Sequence, residues 1–100
     1  MVSDKVAITP KGVTITKSDR KDKKYKAVFD DNTTTHFGAK GFEDYTTHGD
    51  DKRKELYLKR HEPRENWEQY KTAGALSRWI LWNKKTLKAS IADYKKRFNL

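Results

Sequence analysis

The hydrophobic period of this chain changes once, near Gly38, and that change limits what it can fold into. Before it, apolar and polar residues alternate, the period of a strand with one buried face. Val6 and Ile8 alternate with polar neighbours, Pro10-Lys11-Gly12 predicts a turn, and Val13 and Ile15 alternate again. Residues 18–24 are a charged loop. Tyr25, Ala27 and Phe29 then interleave with Lys24, Lys26 and Val28 as a third strand. Asp30-Asp31-Asn32 is a strong turn signal, and the β-rich residues 33–37 return as a fourth strand. The expectation is an antiparallel meander of about four strands over residues 5–37.

Beyond Gly38 the spacing becomes helical. Gly38 and Gly41 stand where the chain needs a positive φ or a close backbone approach. Residues 44–50 read as a polar, turn-rich link. Asp50 and Asp51 suit the start of a helix that Lys59, Arg60 and His61 suit at its end and that Pro63 stops. Thr72 is placed to cap a second helix over residues 73–83, with Leu76, Trp79, Ile80 and Trp82 on its apolar side. After Asn83-Lys84-Lys85-Thr86, a third helix carries the stripe Leu87, Ile91, Tyr94 and Phe98, with Lys88, Lys95 and Lys96 mostly off it. The fold class is therefore α+β, one small domain over residues 1–100. Residues 1–38 are strand-rich and residues 50–100 carry about three helices.

Only 34% of the residues are hydrophobic and 37% are charged, so the core must be small and must lean on its twelve aromatics. There is no cysteine, which excludes disulfides and thiolate metal sites and fits synthesis in a reducing cytosol or nucleus. No stretch is apolar enough to span a bilayer, and residues 1–10 lack the apolar core of a signal peptide. The net charge of +9 is uneven. Residues 1–50 hold 9 Lys/Arg against 8 Asp/Glu, and residues 51–100 hold 14 against 6. A basic half of this kind suits an acidic partner, whether nucleic acid, an anionic membrane face or an acidic protein surface. The competing reading is that the lysines only keep the domain soluble.

The chemistry-bearing motifs are sparse. His36, His48 and His61 have no His-x-x-x-His or calcium-loop spacing, although His48 and Asp50 could meet His61 in space. Hydrogen bonding to backbone in the crowded link is the better reading, and no metal or other cofactor is assigned. There is no nucleophile elbow and no phosphate-cradling glycine loop; Glu43 and Asp44 near His48 resemble an acid–base pair only in composition. The chain reads as non-enzymatic. Tyr45, Tyr57, Arg53 and Arg60 suggest a polar-aromatic cluster with Arg on Tyr, which either pins the first helix or forms a binding face. Trp67, Trp79 and Trp82 interleave with Arg64, Lys71, Arg78, Lys84 and Lys85, the loose recipe for single-stranded nucleic acid, although the helical spacing of Trp79 and Trp82 favours core.

These motifs also carry a resemblance. His36-Phe37-Gly38-Ala39-Lys40-Gly41-Phe42, Asp44-Tyr45-Thr46 with His48 and Asp50, Arg53-Lys54, Tyr57, Arg60-His61, Ala73-Gly74, Ser77-Arg78-Trp79 and Leu81-Trp82-Asn83 follow in that order. Over about residues 24–98 the chain resembles a family of small uncharacterised proteins of nucleocytoplasmic large DNA viruses, such as chlorella-virus and mimivirus relatives. The resemblance implies a viral protein without established enzymatic activity. Its matched residue types suit a rigid docking module.

The resulting expectation is a virion structural protein, a minor capsid component found in the virion and in the host cytoplasm or nucleus during infection. It would dock on other capsid proteins or acidic surfaces through Arg53, Lys54, Tyr57, Arg60, Arg78, Lys84, Lys85, Lys95, Lys96 and Arg97. Gly38, Gly41, Asp44, Tyr45, His48, His61, Trp79 and Trp82 would form its structural motif. The alternative is a nucleic-acid-binding accessory protein that uses the same basic half.

Overall fold

A computed structural model of the chain describes residues 12–100. Three antiparallel strands, β1 (Val13–Lys17), β2 (Lys23–Phe29) and β3 (Thr34–Ala39), lie side by side in chain order. They are the second, third and fourth strands of the predicted meander; the expected first strand, with Val6 and Ile8, lies outside the described residues. Val13 faces Phe29, Ile15 faces Ala27 and Tyr25 faces Phe37 across the ladders. Residues opposite one another share a face, so this register gathers the apolar side chains on one side of the sheet. Lys26 and His36, also opposite each other, take the other side. The predicted turn holds: Asn32 adopts φ 71°, which asparagine tolerates, and its N–H donates to the Phe29 carbonyl at 2.8 Å.

The helices follow as α1 (Tyr45–His48), α2 (Asp51–His61), α3 (Ala73–Leu76) and α4 (Leu87–Phe98). The architecture is α+β, as the change of period implies. Asp50, Thr72 and Thr86 each accept from backbone N–H groups of the turn they cap, an arrangement worth about 1 kcal/mol per helix. Pro63 falls in a short 3₁₀ turn, Glu62–Arg64, that continues α2 and ends it. Two elements differ from the sequence reading. The polar link folds into α1, because Asp44 and Thr47 close a reciprocal cap: the Asp44 carboxylate accepts from the Thr46 N–H, and the Thr47 hydroxyl accepts from the Asp44 N–H. The expected helix over 73–83 is α3 joined to a π turn, Ser77–Leu81, in which the Trp82 N–H reaches back to the Ser77 carbonyl. A turn closed over five residues advances each residue by a smaller angle than an α turn. Leu81, which an α-helix would turn outward, is buried as a result.

The core lies between the sheet and the α3–π–α4 layer. Ala27, Phe29 and Phe37 meet Ala75, Leu76, Trp79, Ile80, Leu81 and Tyr94, and Leu87, Ile91 and Phe98 of the predicted stripe pack against them. Two polar groups of the core aromatics are hydrogen-bonded: the Tyr94 hydroxyl donates to the Tyr70 carbonyl at 2.6 Å, and the Trp79 indole donates to the Trp67 carbonyl at 2.9 Å. The irregular segment over 65–72 is thereby fastened to the core. The helix α2 is different, since none of its residues is buried.

Gly38 lies where the sheet meets the π turn. Its φ is +82°, and a Cβ there would stand 2.8 Å from Leu81 Cδ1. Gly41 has φ +91° but open space around it. Gly38→Ala should therefore destabilise the protein by about 2–4 kcal/mol, combining backbone strain with displacement of Leu81, while Gly41→Ala should cost only about 1 kcal/mol. Equilibrium denaturation of the two variants measures the difference.

Candidate functional site

Two surfaces combine the residue types that binding needs. The first is a cleft of ≈ 630 Å³ between α2 and the body of the fold. Leu56, Tyr57, Arg60 and His61 of α2 contribute one part of its lining. Gly74, Ser77, Leu81 and Trp82 contribute another, and Lys23, Gly38 and Phe42 come from the β2–β3 corner and the loop after it.

Aromatic stacking attaches α2 to this cleft. The Tyr57 ring lies parallel to the Trp82 indole, 4.2 Å between centroids and 4° between planes, and His61 stacks at 4.2 Å. The row continues from Trp82 to His48 at 5.4 Å and on to Tyr45 at 6.3 Å. His61 is held in turn by Glu65, whose carboxylate lies 2.9 Å from Nδ1 and also accepts from the Trp67 indole. That carboxylate rests against Gly74, where a Cβ would come within 2.2 Å of Oε1. His48 Nδ1 accepts the Asp50 N–H at 2.9 Å, so the hydrogen of the neutral ring resides on Nε2, which is buried without a hydrogen-bond partner among the described residues.

Ion pairs fix the other end of the cleft. Asp44 is 3% exposed and pairs with Lys24 at 2.7 Å, joining β2 to α1. Arg53 pairs with Glu43 at 3.0 Å. The cluster expected from Tyr45, Tyr57, Arg53 and Arg60 does not stack Arg on Tyr. Lys54, not an arginine, lies over the Tyr45 ring at 4.8 Å, and its ammonium donates to the Asn83 carbonyl at 2.7 Å. Tyr45 donates instead to the Asp51 carboxylate. Burial, and then the nearby Arg78 and Lys84, lower the Lys54 pKa from the ordinary lysine value.

Arginine stacking occurs on tryptophan. Trp79 is 8% exposed and lies between the Arg78 guanidinium at 4.1 Å and that of Arg97 at 3.7 Å. Arg78 also donates to the Trp82 carbonyl, and its buried Nε has no hydrogen-bond partner among the described residues. Burial, and then Arg97, lower its pKa from the ordinary guanidinium value. Arg97 pairs with Asp93, which accepts from the Asn83 amide at 2.7 Å. Lys54, Arg78 and Arg97 are thus built into the fold, and the three histidines go to three different places, His36 to Ser18 on the sheet's other face.

The second surface is the outer side of α4. Lys88, Ala89, Ala92, Lys95 and Lys96 are exposed and three, four or seven residues apart, hence on one face. Lys84 and Lys85, also exposed, occupy the loop that leads into it. Among the described residues none of these five lysines has an ion-pair partner; the helix's one carboxylate, Asp93, is held by Asn83 and Arg97. Of the ten basic and aromatic residues singled out in the sequence, the structure therefore gathers Lys95 and Lys96 on this face, whereas Lys84 and Lys85 stand in the loop before it, Lys84 near Asp93 and Lys85 beside Gly49. Arg53, Tyr57 and Arg60 line the cleft. Sequence reasoning missed the cleft residues Lys23, Phe42, Leu56 and Glu65. The signal available for Phe42 and Leu56 was an apolar residue set among polar ones.

The Tyr57 phenol is pushed up to about 12 by burial and by the neighbouring Glu65. An unfolded chain releases this proton near 10, so the unfolded form binds fewer protons between about 10 and 12 and stability falls as pH rises through that window. Tyr94 and Tyr45 are shifted in the same direction, Tyr94 chiefly by burial and Tyr45 chiefly by its hydrogen bond to Asp51. Tyr57→Phe should therefore leave stability at neutral pH within about 1 kcal/mol and make the alkaline decline shallower without abolishing it. Urea midpoints measured from pH 8 to 12 give the slope.

Residues 13–61, from β1 to the end of α2, match a family of unknown function (DUF5754). No curated protein and no solved structure matches the chain. The matched segment holds the sheet and the α2 side of the cleft, whereas the lysine face of α4 lies beyond it. Among the described residues no helix is long and apolar enough to cross a membrane.

Proposed function

We propose that this chain is a non-enzymatic docking protein, a minor structural component of a large-DNA-virus particle that binds acidic surfaces of other capsid proteins. The observation that carries the docking reading is the outer face of α4: Lys88, Lys95 and Lys96, exposed and without ion-pair partners among the described residues, with only alanines between them on that face. Unpaired ammonium groups on one rigid face attract an acidic partner, and the small Ala89 and Ala92 let it approach closely. Placement in a virion rests on the sequence resemblance together with size and charge. The absence of enzymatic activity is supported by the cleft's acids, since Glu43, Asp44 and Glu65 are each held by an internal partner.

Nucleic acid is the second reading, favoured by the lack of a free carboxylate on the same face. It would act through phosphate contact rather than base stacking. Trp79 is buried between two arginines, Trp82 is covered by Tyr57, and the Trp67 indole is bonded to Glu65.

Mass spectrometry of purified particles of the encoding virus tests the structural role. A copy number in fixed ratio to the major capsid protein is the expected result, and absence from particles with presence in infected cells would sink it. The triple reversal Lys88→Glu, Lys95→Glu, Lys96→Glu should leave the fold intact, because all three residues are exposed, and should abolish incorporation. For the second reading, duplex DNA affinity should fall with salt by about 0.9 logarithmic units per decade for each phosphate contacted. Binding without that slope removes the nucleic-acid reading.

A further inference from the structure

The cleft beside α2 is independent of the lysine face and has its own chemistry. Phe42 and Leu56, 72% and 48% exposed, are the exposed large hydrophobic residues among those described, and both line this cleft. An apolar pair gathered at one concave site differs from the scattered single exposures of an ordinary surface. The same cleft is lined by the Tyr57 ring, stacked with His61 and Trp82, and by Leu81 of the core.

Charge selects the occupant. The cleft is lined by three carboxylates, and each already has a partner: Asp44 has Lys24, Glu43 has Arg53, and Glu65 has His61. Two cations remain, Lys23 and Arg60, with no ion-pair or hydrogen-bond partner for their side chains among the described residues. Arg60 is exposed and can rotate toward a bound carboxylate, which its planar fork grips through two bonds. A basic occupant would meet Lys23 and Arg60 unshielded. A purely apolar one would leave both cations without a partner.

We infer that this cleft is a second docking site, taking an acidic peptide segment of a partner protein whose aliphatic or aromatic anchor seats between Phe42 and Leu56 while its carboxylates reach Lys23 and Arg60. The fixed Tyr57–Trp82 stack makes the seat preformed, so the segment bears most of the ordering cost of binding. Anchor and carboxylates stand within a few residues of one another, because the whole cleft is only one α2 helix long.

The test is selection of a random twelve-residue peptide library, displayed on phage, against the immobilised full-length protein. Enriched peptides are expected to combine Asp or Glu with Leu, Phe, Trp or Tyr. Synthetic copies should bind the protein in fluorescence polarisation and lose at least tenfold in affinity in Arg60→Glu and in Phe42→Ser. Both side chains are exposed, so circular dichroism should show both variants folded, and Thr14→Glu, exposed on the sheet's other face and outside the cleft lining, should bind as the parent does. Enrichment of basic peptides, no enrichment at all, or binding that both cleft variants retain would each overturn the proposal. The α4 triple reversal separates the two sites: peptides that lose binding there but not in Arg60→Glu occupy the lysine face, and the cleft assignment is then wrong.

Discussion

The contact on which the helical half depends is the stack of Tyr57 on Trp82. The helix α2 buries none of its eleven residues, and a helix of that length is marginal by itself in water. It is held by its aromatic side chains and by one lysine that reaches across to the Asn83 carbonyl. Offset aromatic pairs contribute about 0.5–1.5 kcal/mol beyond the area they cover, and two such contacts meet on the Tyr57 ring. Without them α2 keeps only the polar links of Asp51 to Tyr45, Arg53 to Glu43 and Lys54 to Asn83, and the cleft loses its aromatic wall.

That stack depends on the backbone behind Trp82. The π turn over Ser77–Leu81 brings Leu81 into the core and re-aims Trp82 toward α2. Gly38 supplies the space against which Leu81 packs, so a glycine in β3 acts through the core on the position of an indole at the cleft. Asn83 closes the same region: its amide donates to the Trp79 carbonyl and to Asp93, and its carbonyl receives Lys54. π turns inside helices commonly mark positions where function re-aims a side chain, and here the re-aimed residue lines the cleft.

Much of the fold was legible because it rests on local chemistry. The alternation of Tyr25, Ala27 and Phe29, the turn at Asn32, the caps at Asp50, Thr72 and Thr86 and the stripe from Leu87 to Phe98 each follow from a period or a single side-chain preference. What was not legible is what several distant segments decide together. Leu81 has the wrong helical phase until the backbone widens. The cap that makes α1 uses Thr47 where a capping box ordinarily uses Glu or Gln, so its signature is weak in the sequence.

The candidate sites divide along the same line. Lysines in α4 could be placed on the outer face from spacing alone, since the opposite stripe is plainly apolar. Lys54, Arg78 and Arg97 look identical to them in composition yet are engaged by Asn83, Trp79 and Asp93, Lys54 and Arg78 partly buried and Arg97 at the surface. A cation stacked on an indole and bonded to a carbonyl is partly desolvated, so moving it to a partner would break contacts worth as much as those it could make. The strongly basic half separates physically into a structural set, which holds three tryptophans and α2 in place, and a free set on α4, to which the proposed docking on an acidic partner falls.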